Sequence, residues 1–278
     1  MKKVFLILAS AAALFAGCAQ TPVEEDTLTV ISYNIRLGVA NDGDNSWEFR
    51  KPASVAMIEA EKPDVFGVQE ALDFQIFYIE HFCPEYKSYG IGREPNGKGE
   101  HMSIFYNSEV LEMLDHGTYW LSDTPDVPSK GWDAECIRTA TWALMKDLRN
   151  GKQFFFVNTH LDHKGVEARR NGLALVVDKI AAMNPTGWPM VLTGDLNSDP
   201  DDPCLGGIEE MMTNARTHAG STDARITFNG FAKEDERIID YIYYSGFSAC
   251  PKFEVVTDTF AGKPYISDHY PIKAVLAW

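Results

Sequence analysis

The feature that most constrains the fold of this chain is a set of short runs of β-branched and aromatic residues. Each run has a polar side chain at or near its end. Four of them are LTVISYNI (28–35), DVFGVQEA (64–71), QFFFVNTHL (153–161) and PMVLTGDLN (189–197). Runs of this length and composition predict β-strands. Their last polar residues carry groups that bind metals or phosphates, and rigid strand ends commonly hold such groups. The pattern predicts sheets that share one polar site at their strand ends.

The remaining segments predict how these strands are combined. Further strand-like runs lie at 101–107, 140–148, 239–245 and 270–278. Helical patterns lie at 53–62, 74–82 and 165–183, and Pro52 is expected at the first helical position. Few helices among many strands, some separated only by turns, predict mixed sheets and not a doubly wound parallel sheet.

The first residues predict export and anchoring. Lys2 and Lys3 precede an apolar stretch that is too short to span a bilayer, and LFAGC resembles a bacterial lipobox that ends at Cys18. We expect residues 1–18 to be a lipoprotein signal peptide, with Cys18 as the lipidated residue, although an ordinary signal peptide with an incidental cysteine is the alternative. Residues 19–27 are expected to form a tether and 28–278 a single domain. The predicted location is the bacterial envelope.

The charge balance limits which classes of partner the protein is expected to bind. The net charge of −15 opposes polyanion binding over most of the surface and favours divalent cations. A nucleic-acid-binding module would be expected to carry a basic stripe. An enzyme that holds phosphate locally through a metal remains compatible with this charge.

The stretch VLTGDLNSDPDDP at 191–203 has two interpretations. Its alternating Asp and Asn residues resemble a calcium loop, but counting from Asp195 places Pro200 and Gly206 where an EF-hand requires Gly and Glu. The alternative is that Asp195 and Asn197, one residue apart, project from the same side of an extended backbone toward one small object. We favour the second interpretation, with the remaining acidic residues in a turn.

Carboxylates at apolar strand ends predict a metal site. Glu70 follows the buried-type run VFGV, where a charge is costly unless it is paired or binds a cation. A helix N-terminal acid is the alternative for this residue. Mg²⁺ prefers one or two carboxylates with water and phosphate oxygens, a requirement that Glu70 and Asn34 meet.

The C-terminal part predicts a histidine with an acidic partner. Asp268 and His269 precede an apolar strand in SDHYPI, and Asp240 lies in the strand-like run IIDYIYYS. A buried aspartate needs a partner, and an Asp that orients His269 satisfies that need. His160 again follows an apolar strand.

The ordered set SYNIR, QE, NTHLDH, GDLN, DYI and SDHYPI resembles the endonuclease/exonuclease/phosphatase superfamily, from about residue 28 to 276. Each motif alone is weak, whereas together and in order they are specific. The resemblance implies a four-layer α/β sandwich of the DNase I type, in which two packed mixed β-sheets are flanked by helices. It also implies a phosphoesterase.

The resemblance also implies a role for each motif residue. The metal ligands would be Asn34, Glu70 and Asp268, with Mg²⁺ or Mn²⁺ as the cofactor. Asp195 would orient the attacking water, Asn197 would bind the phosphate, and His269, steered by Asp240, would act as general base or stabilise the phosphorane. His160 and Arg36 would contact the substrate phosphate.

The substrate is less constrained by the sequence. Nucleic acid, a phospholipid head group and a sugar phosphate all remain open, including a sphingomyelinase-like activity. Arg138 lies in the distinctive segment 117–145 and is a candidate substrate-binding residue. The tryptophans of this segment are expected to pack in the core and at the sandwich edge, and the alternative is that Trp132 lines the cleft. A catalytically silent relative that binds a ligand is the competing hypothesis, but none of the motif residues is missing. We expect a monomer.

Overall fold

Two mixed sheets pack face to face, and helices cover their outer faces. The computed structural model describes residues 26–232 and 237–278. In these ranges the helices are α1 (Trp47–Glu61), α2 (Asp73–Phe82), α3 (Val166–Met183), α4 (Gly206–Met211) and α5 (Ala215–His218). The strands are β1 (Thr27–Asn34), β2 (Val65–Gln69), β3 (Tyr86–Tyr89), β4 (Ile104–Asn107), β5 (Leu111–Trp120), β6 (Thr139–Asp147), β7 (Gln153–His160), β8 (Met190–Asp195), β9 (Thr213–Asn214), β10 (Asp240–Ser245), β11 (Ala249–Val255) and β12 (Ile272–Ala277).

Each sheet is built around one parallel strand pair. The first sheet has the order β11-β12-β1-β2-β4-β3, and the second has the order β5-β6-β7-β8-β10-β9. The parallel pairs are β1 with β2 and β7 with β8, and the other pairs are antiparallel. Asn34 is in register with Gln69, and His160 with Asp195. The carboxyl ends of β1 and β2 therefore lie at the same end of the first sheet, and those of β7 and β8 lie at the same end of the second sheet.

The core forms three apolar layers because side chains alternate along the strands. Val30 faces the space between the sheets, whereas Ile31 faces α1 and α2. In the second sheet Phe154 and Phe156 point inward, and Phe155 packs toward α3 and α4. Helix, sheet, sheet and helix thus stack as four layers, which confirms the predicted α/β sandwich.

A buried polar cluster joins the two sheets next to the site. The side-chain Nδ2 of Asn158 donates to the carbonyl oxygens of Val68 at 2.8 Å and Ser103 at 3.1 Å. Its Oδ1 accepts from Gln69 Nε2 at 2.7 Å and Thr193 Oγ1 at 3.1 Å. All the hydrogen-bonding positions of the amide are satisfied. The amide therefore fixes β7 against β2 and β4, just before the strand ends that carry polar site residues.

Several local expectations differ from the structure. Pro52 lies inside α1 and not at its first position, because the helix already begins at Trp47, whose ring is buried in the core. Strands β3, β5, β9 and β11 were not expected from the sequence, and β1 starts at Thr27, the last residue of the predicted tether. Residues 1–25 with Cys18 lie outside the described residues. Among the described helices, none has the length and apolar character needed to cross a membrane.

Candidate active site

A cavity of about 500 Å³ opens at the edge where the central strand ends of both sheets meet. It contains nearly every residue that the sequence predicted for the site. The lining residues are Arg36, Leu37, Glu70, Arg93, Glu100, Cys136, Arg138, His160, His163, Asp195, Asn197, Phe228, Arg237, Ile239, Asp268 and His269. Asn34 and Asp240 are buried behind this lining and contact it.

Asn34 connects the two sheets at the floor of the site. Its Nδ2 donates to Glu70 Oε1 at 3.2 Å and to Asp195 Oδ2 at 3.0 Å. Its Oδ1 accepts from the backbone N–H of Arg36 at 3.0 Å, and Leu37 N–H donates to Glu70 Oε2 at 2.8 Å. A single amide thus holds one carboxylate from each sheet in a fixed relative position.

Three of the predicted site residues adopt left-handed backbone conformations. Arg36 has φ 64°, Glu70 has φ 63° and Asn197 has φ 49°. Such angles cost free energy for residues with a Cβ and persist where the surroundings enforce them, often at functional sites. Each of the three lies one or two residues beyond a central strand, so the turn aims its side chain into the cavity.

His269 and Asp240 form a buried hydrogen-bonded pair. His269 Nδ1 lies 2.9 Å from Asp240 Oδ2, and the two residues are only 4% and 2% exposed. Burial would lower the pKa of His269, but the negative charges of Asp240 and Asp195 outweigh it and raise the pKa to about 10. The ring packs edge-on against Phe228 at 4.9 Å. The raised pKa favours the imidazolium form of His269, and its Nε2 lies 3.7 Å from Asp195 Oδ2.

Asp195 is a buried carboxylate with a strongly perturbed pKa. Burial raises the pKa to about 7, with a further upward contribution from Asp240, against the lowering effects of His269, of the Asn197 backbone N–H and of Asn34. The Asn197 N–H donates to Oδ1 at 2.9 Å. A group with a pKa near the working pH is well matched to proton transfer. The geometry thus combines a potential base with a neighbouring cation.

His160 is the neutral histidine of the site. Burial, followed by the positive charges of Arg138 and His269, lowers its pKa well below 6.5. Asn197 Nδ2 lies 3.0 Å from His160 Nε2 and donates to the Leu161 carbonyl at 3.0 Å. Nε2 also lies 3.4 Å from Asp195 Oδ2, and the buried Nδ1 has no hydrogen-bond partner among the described residues. His160 therefore positions Asn197 at the cavity wall.

The chemistry of the floor fits a divalent cation. Asp268 is buried beside Glu70, and burial together with the charge of Glu70 raises the pKa of Asp268 against the lowering effects of His269 and Arg36. Arg36 Nη1 lies 3.4 Å from Asp268 Oδ2, while the same guanidinium makes a bidentate pair with Asp42. Carboxylate and amide oxygens are the ligands that Mg²⁺ and Mn²⁺ prefer. Glu70 and Asp268 are thus suited to hold such an ion, and Asn34 would join them through Oδ1, the atom that also accepts the Arg36 N–H.

A second set of potential ligand atoms lies nearby. One atom each from Asp195, Asp240 and His269 lies within 4.8 Å of the others. The hydrogen bond between His269 Nδ1 and Asp240 Oδ2 already uses one ligand atom of each residue. We therefore interpret this trio as a candidate proton acceptor, Asp195, beside the hydrogen-bonded His269–Asp240 pair, and the Glu70 side of the cavity as the metal side.

Arg138 also lines the cavity, and its side chain is held by contacts with neighbouring residues. Its Nε donates to Asp162 Oδ2 at 3.3 Å, its Nη2 lies 3.1 Å from His163 Nδ1, and its buried Nη1 has no hydrogen-bond partner among the described residues. Burial would raise the pKa of Asp162, but backbone N–H groups, including that of Gly165 at 2.8 Å, hold it well below 3.8. Trp132, the other candidate in this segment, is not among the lining residues.

Some cavity residues were not anticipated from the sequence. They are Leu37, Arg93, Glu100, Cys136, Phe228, Arg237 and Ile239. Arg93 and Glu100 come from the loop between β3 and β4, a segment for which the sequence predicted no structure or role. Paired charges of opposite sign at 93 and 100 were the only signal available.

Arg50 lies behind the site and was also not anticipated from the sequence. This fully buried side chain donates from Nη1 to the carbonyl oxygens of Ile35 at 2.9 Å and Ile266 at 2.8 Å, and from Nε to that of Asn45. Its guanidinium lies over the Trp47 ring, 5.5 Å from the centroid. Arg50 thus ties the end of β1 to the segment that carries Asp268 and His269.

The comparisons with known proteins agree with this architecture. The model of the Endonuclease/Exonuclease/phosphatase family matches residues 31–269. A structure of an endonuclease/exonuclease/phosphatase family protein from Bacteroides vulgatus is 35% identical, with a TM-score of 0.84, and the match covers 90% of this chain and 98% of that one. A mannosyl-6-phosphatase from Bacteroides thetaiotaomicron is 33% identical, with a TM-score of 0.85, covering 90% and 100%. Nocturnin from Drosophila melanogaster is 27% identical over 208 residues, which are 67% of this chain and 31% of that protein. The chain belongs to the endonuclease/exonuclease/phosphatase family.

Proposed function

We propose that the protein is a divalent-metal-dependent hydrolase of phosphate esters. The observation that carries this proposal is the convergence of Asp195, the His269–Asp240 pair and the Asn34–Glu70 pair on one cavity. Phosphate esters resist attack because their negative charge repels nucleophiles, so catalysis needs an oriented water and charge neutralisation. A catalytically silent relative would have no need to retain this complete set.

Asp195 would orient the attacking water and accept its proton. Its pKa of about 7 leaves a large ionised fraction at neutral pH, and it is buried at the cavity floor. General base action of this kind contributes typically 10²–10⁴-fold. Asn197, fixed by His160 and the Leu161 carbonyl, would hold a phosphate oxygen.

His269 would act as a hydrogen-bonding cation. Its pKa of about 10 favours stabilisation of the negative charge that develops on the phosphoryl group, and disfavours the general-base alternative for this residue. Asp240 would keep the ring oriented and charged. Arg36, held by Asp42 and Asp268, would contact the same phosphate group.

Mg²⁺ or Mn²⁺ would be held by Glu70, Asn34 and Asp268. A bound divalent cation would supply charge neutralisation of the phosphate oxygens and support the leaving oxygen. Burial raises the pKa of Asp268, so a cation that replaces protons at this site would relieve the repulsion between Asp268 and Glu70.

A phosphate monoester of a small sugar is the substrate class that we favour. The mannosyl-6-phosphatase relative spans nearly the whole of this chain at 33% identity, which supports the choice. A cavity of about 500 Å³ has the size of a small-molecule site. The net charge of −15 disfavours nucleic acid.

We further propose that the protein is exported and anchored to the bacterial envelope through Cys18, which lies outside the described residues. The chain enters the domain at Asp26, whose carbonyl accepts from the backbone N–H of the C-terminal Trp278 at 3.0 Å. Thr27 and Asn34 lie at opposite ends of β1, roughly 23 Å apart at the usual rise per residue. An anchored enzyme would thus present its cavity away from the tether, which favours dissolved substrates over a sphingomyelinase-like activity.

The test is hydrolysis by the purified protein. With Mg²⁺ or Mn²⁺ we expect phosphate release from mannose 6-phosphate and p-nitrophenol release from p-nitrophenyl phosphate, both abolished by EDTA. Asp195→Ala and His269→Ala should each lose at least about 10²-fold in kcat, whereas Asp115→Ala, at an exposed strand position, should match the wild type. DNA, RNA, sphingomyelin and bis-p-nitrophenyl phosphate complete the panel. Absence of metal-dependent hydrolysis across the panel, or near wild-type turnover by Asp195→Ala, would overturn the proposal.

A further inference from the structure

Arg93 and Glu100 form an ion pair in the cavity wall that the proposed chemistry does not use. Arg93 Nη1 lies 2.7 Å from Glu100 Oε2, and each side chain is only 12% exposed. Among the described residues, neither Glu100 Oε1 nor Arg93 Nη2 takes part in a hydrogen bond, whereas the buried Arg93 Nε faces Glu94. The pair therefore offers both an acceptor and donors at the cavity wall.

This pair is rigidly supported from behind. The Arg93 N–H donates to the Glu100 carbonyl at 3.1 Å, which closes the base of the loop between β3 and β4. The indole Nε1 of Trp120 donates to the Arg93 carbonyl at 2.8 Å, which ties this loop to β5 of the other sheet. Rigid support of this kind is what a binding group needs in order to select one ligand geometry.

The same pair shares its cavity with the reaction site. Burial raises the pKa of Glu100, Arg93 lowers it, and Glu70 raises it further. The charge of Arg93 in turn contributes to the low pKa of His160. Glu100 and Arg93 therefore lie within electrostatic reach of both the proposed metal side and the phosphate-binding side.

The charges on this wall decide which ligand chemistry fits. Arg93 faces Glu100 and also Glu94, whose Oε1 lies 3.8 Å from Arg93 Nε, and Arg138 faces Asp162 at 3.3 Å. Two guanidinium groups thus lie beside three carboxylates. A substrate that carried a second anionic group besides its phosphate would therefore gain no net attraction at this wall. A neutral group that both donates and accepts hydrogen bonds fits instead, and neighbouring hydroxyl groups of a sugar have this property.

We propose that Glu100 and Arg93 form a hydroxyl-binding subsite that selects phosphate esters of sugars or similar polyols over esters of simple alcohols. One substrate hydroxyl donates to Glu100 Oε1, and a neighbouring hydroxyl accepts from the Arg93 guanidinium. The subsite rests on the proposed hydrolase function for its role in turnover, but its ligand preference is a property of binding alone.

Glu100→Gln tests the subsite with little change in size. Because the amide oxygen of the introduced side chain would face Arg93, its NH₂ group would face the cavity, and the acceptor would become a donor. The matched control is Glu94→Gln, which also removes a carboxylate beside Arg93, at a side chain that is 45% exposed and absent from the cavity lining. Arg93→Met removes the donors and gives a second, independent variant.

The measurement is calorimetric titration with mannose 6-phosphate and with ethyl phosphate, which lacks the hydroxyl groups. Both are titrated with Mg²⁺ into Asp195→Asn protein, so that turnover does not contribute heat. Glu100→Gln and Arg93→Met should each weaken mannose 6-phosphate binding by about tenfold to 100-fold, the usual range for a hydrogen bond to a charged group. Ethyl phosphate binding should change by less than about twofold, as should binding of both ligands to Glu94→Gln.

Each outcome separates the subsite from the proposed hydrolase function. Equal weakening of both ligands, or no weakening of either, would overturn the subsite even if the wild type hydrolyses phosphate esters. Selective weakening of mannose 6-phosphate would support it even if the wild type hydrolyses neither ester. Failure of mannose 6-phosphate to bind more tightly than ethyl phosphate to the Asp195→Asn protein also overturns it.

Discussion

Replacing Asp240 with Asn removes a buried negative charge while it keeps the size and the acceptor oxygen beside His269. The hydrogen bond between His269 Nδ1 and Asp240 Oδ2 is 2.9 Å long, and both residues are almost completely buried. An amide oxygen still accepts from Nδ1–H, so the ring orientation should survive. The variant therefore tests the charge of Asp240 separately from its positioning role.

The size of the effect follows from the geometry. Two unit charges about 4 Å apart at an effective dielectric constant of about 20 interact by about 4 kcal/mol, which corresponds to about three pH units. This accounts for most of the rise in the pKa of His269 from 6.5 to about 10. Without that charge, burial dominates, and His269 should be mostly neutral above pH 8. The pKa of Asp195 should also fall, because Asp240 contributes to raising it.

The assay is the pH dependence of kcat/KM for p-nitrophenyl phosphate at saturating Mg²⁺. For the wild type we expect a bell, because activity requires ionised Asp195 and protonated His269. A divalent cation beside these groups moves both limbs to lower pH in wild type and variant alike. In Asp240→Asn both limbs should move further to lower pH. The loss should be on the order of 10²-fold at pH 9 and much smaller at pH 6.

One result would refute this reasoning. A uniform loss at every pH, with the alkaline limb unmoved, would mean that Asp240 acts by orienting the ring and that the imidazolium charge is not required. Titration of the ¹³C-labelled histidine by NMR gives an independent measure of the change in pKa. Asp115→Asn, at an exposed position on β5, controls for the loss of one carboxylate and should leave the profile unchanged.

Three further predictions address the metal, the sheet contact and the support under the site. Glu70→Gln should weaken Mn²⁺ binding by roughly tenfold to 100-fold in calorimetric titration, because the candidate cation site loses a carboxylate ligand; unchanged affinity would place the ion elsewhere. Asn158→Ala should lower the free energy of unfolding by about 2–4 kcal/mol in urea titration, because four buried partners each lose one hydrogen bond. A loss below about 0.5 kcal/mol would contradict the role of Asn158 in joining the two sheets. Arg50→Met should lower kcat by about tenfold or more, because the hydrogen bonds that join the segment before Asp268 to the end of β1 are lost. Circular dichroism should show that the variant stays folded, and full activity would exclude a positioning role for Arg50.

The strand ends were predictable because their signals are local. Period-two patterns and polar end residues placed Asn34, Glu70, His160 and Asp195 at strand ends. In the structure the last three line the cavity, and Asn34 contacts Glu70 and Asp195 from behind. What the pattern alone did not contain is the pairing of strands between the two halves of the chain. The family resemblance supplied the sandwich, and the buried Asn158 amide is the physical contact that joins its sheets.

Three of the four missed strands have a common physical cause. Strand β3 reads YKSY at the sheet edge, β9 has two residues, and β11 contains Pro251, so none shows a clear apolar alternation. Arg50 was missed because a charged residue in a helix ordinarily faces solvent, whereas here backbone carbonyls and an aromatic ring surround it. Long-range contacts decide such cases, and no short sequence window contains them.

The cavity arginines alone do not explain how a phosphate site can exist on a chain with a net charge of −15. Each guanidinium that lines the cavity has a carboxylate partner, in the pairs Arg36–Asp42, Arg93–Glu100, Arg138–Asp162 and Arg237–Asp199. Paired arginines position donors but add little net positive charge, so they attract a phosphate only weakly. A divalent cation at the carboxylate side would therefore supply the attraction as well as the chemistry. Removal of the metal should accordingly weaken phosphate-ester binding as well as turnover. Equal affinity for mannose 6-phosphate in EDTA and in Mg²⁺ would contradict the proposal that the cation attracts the phosphate while the arginines position donors.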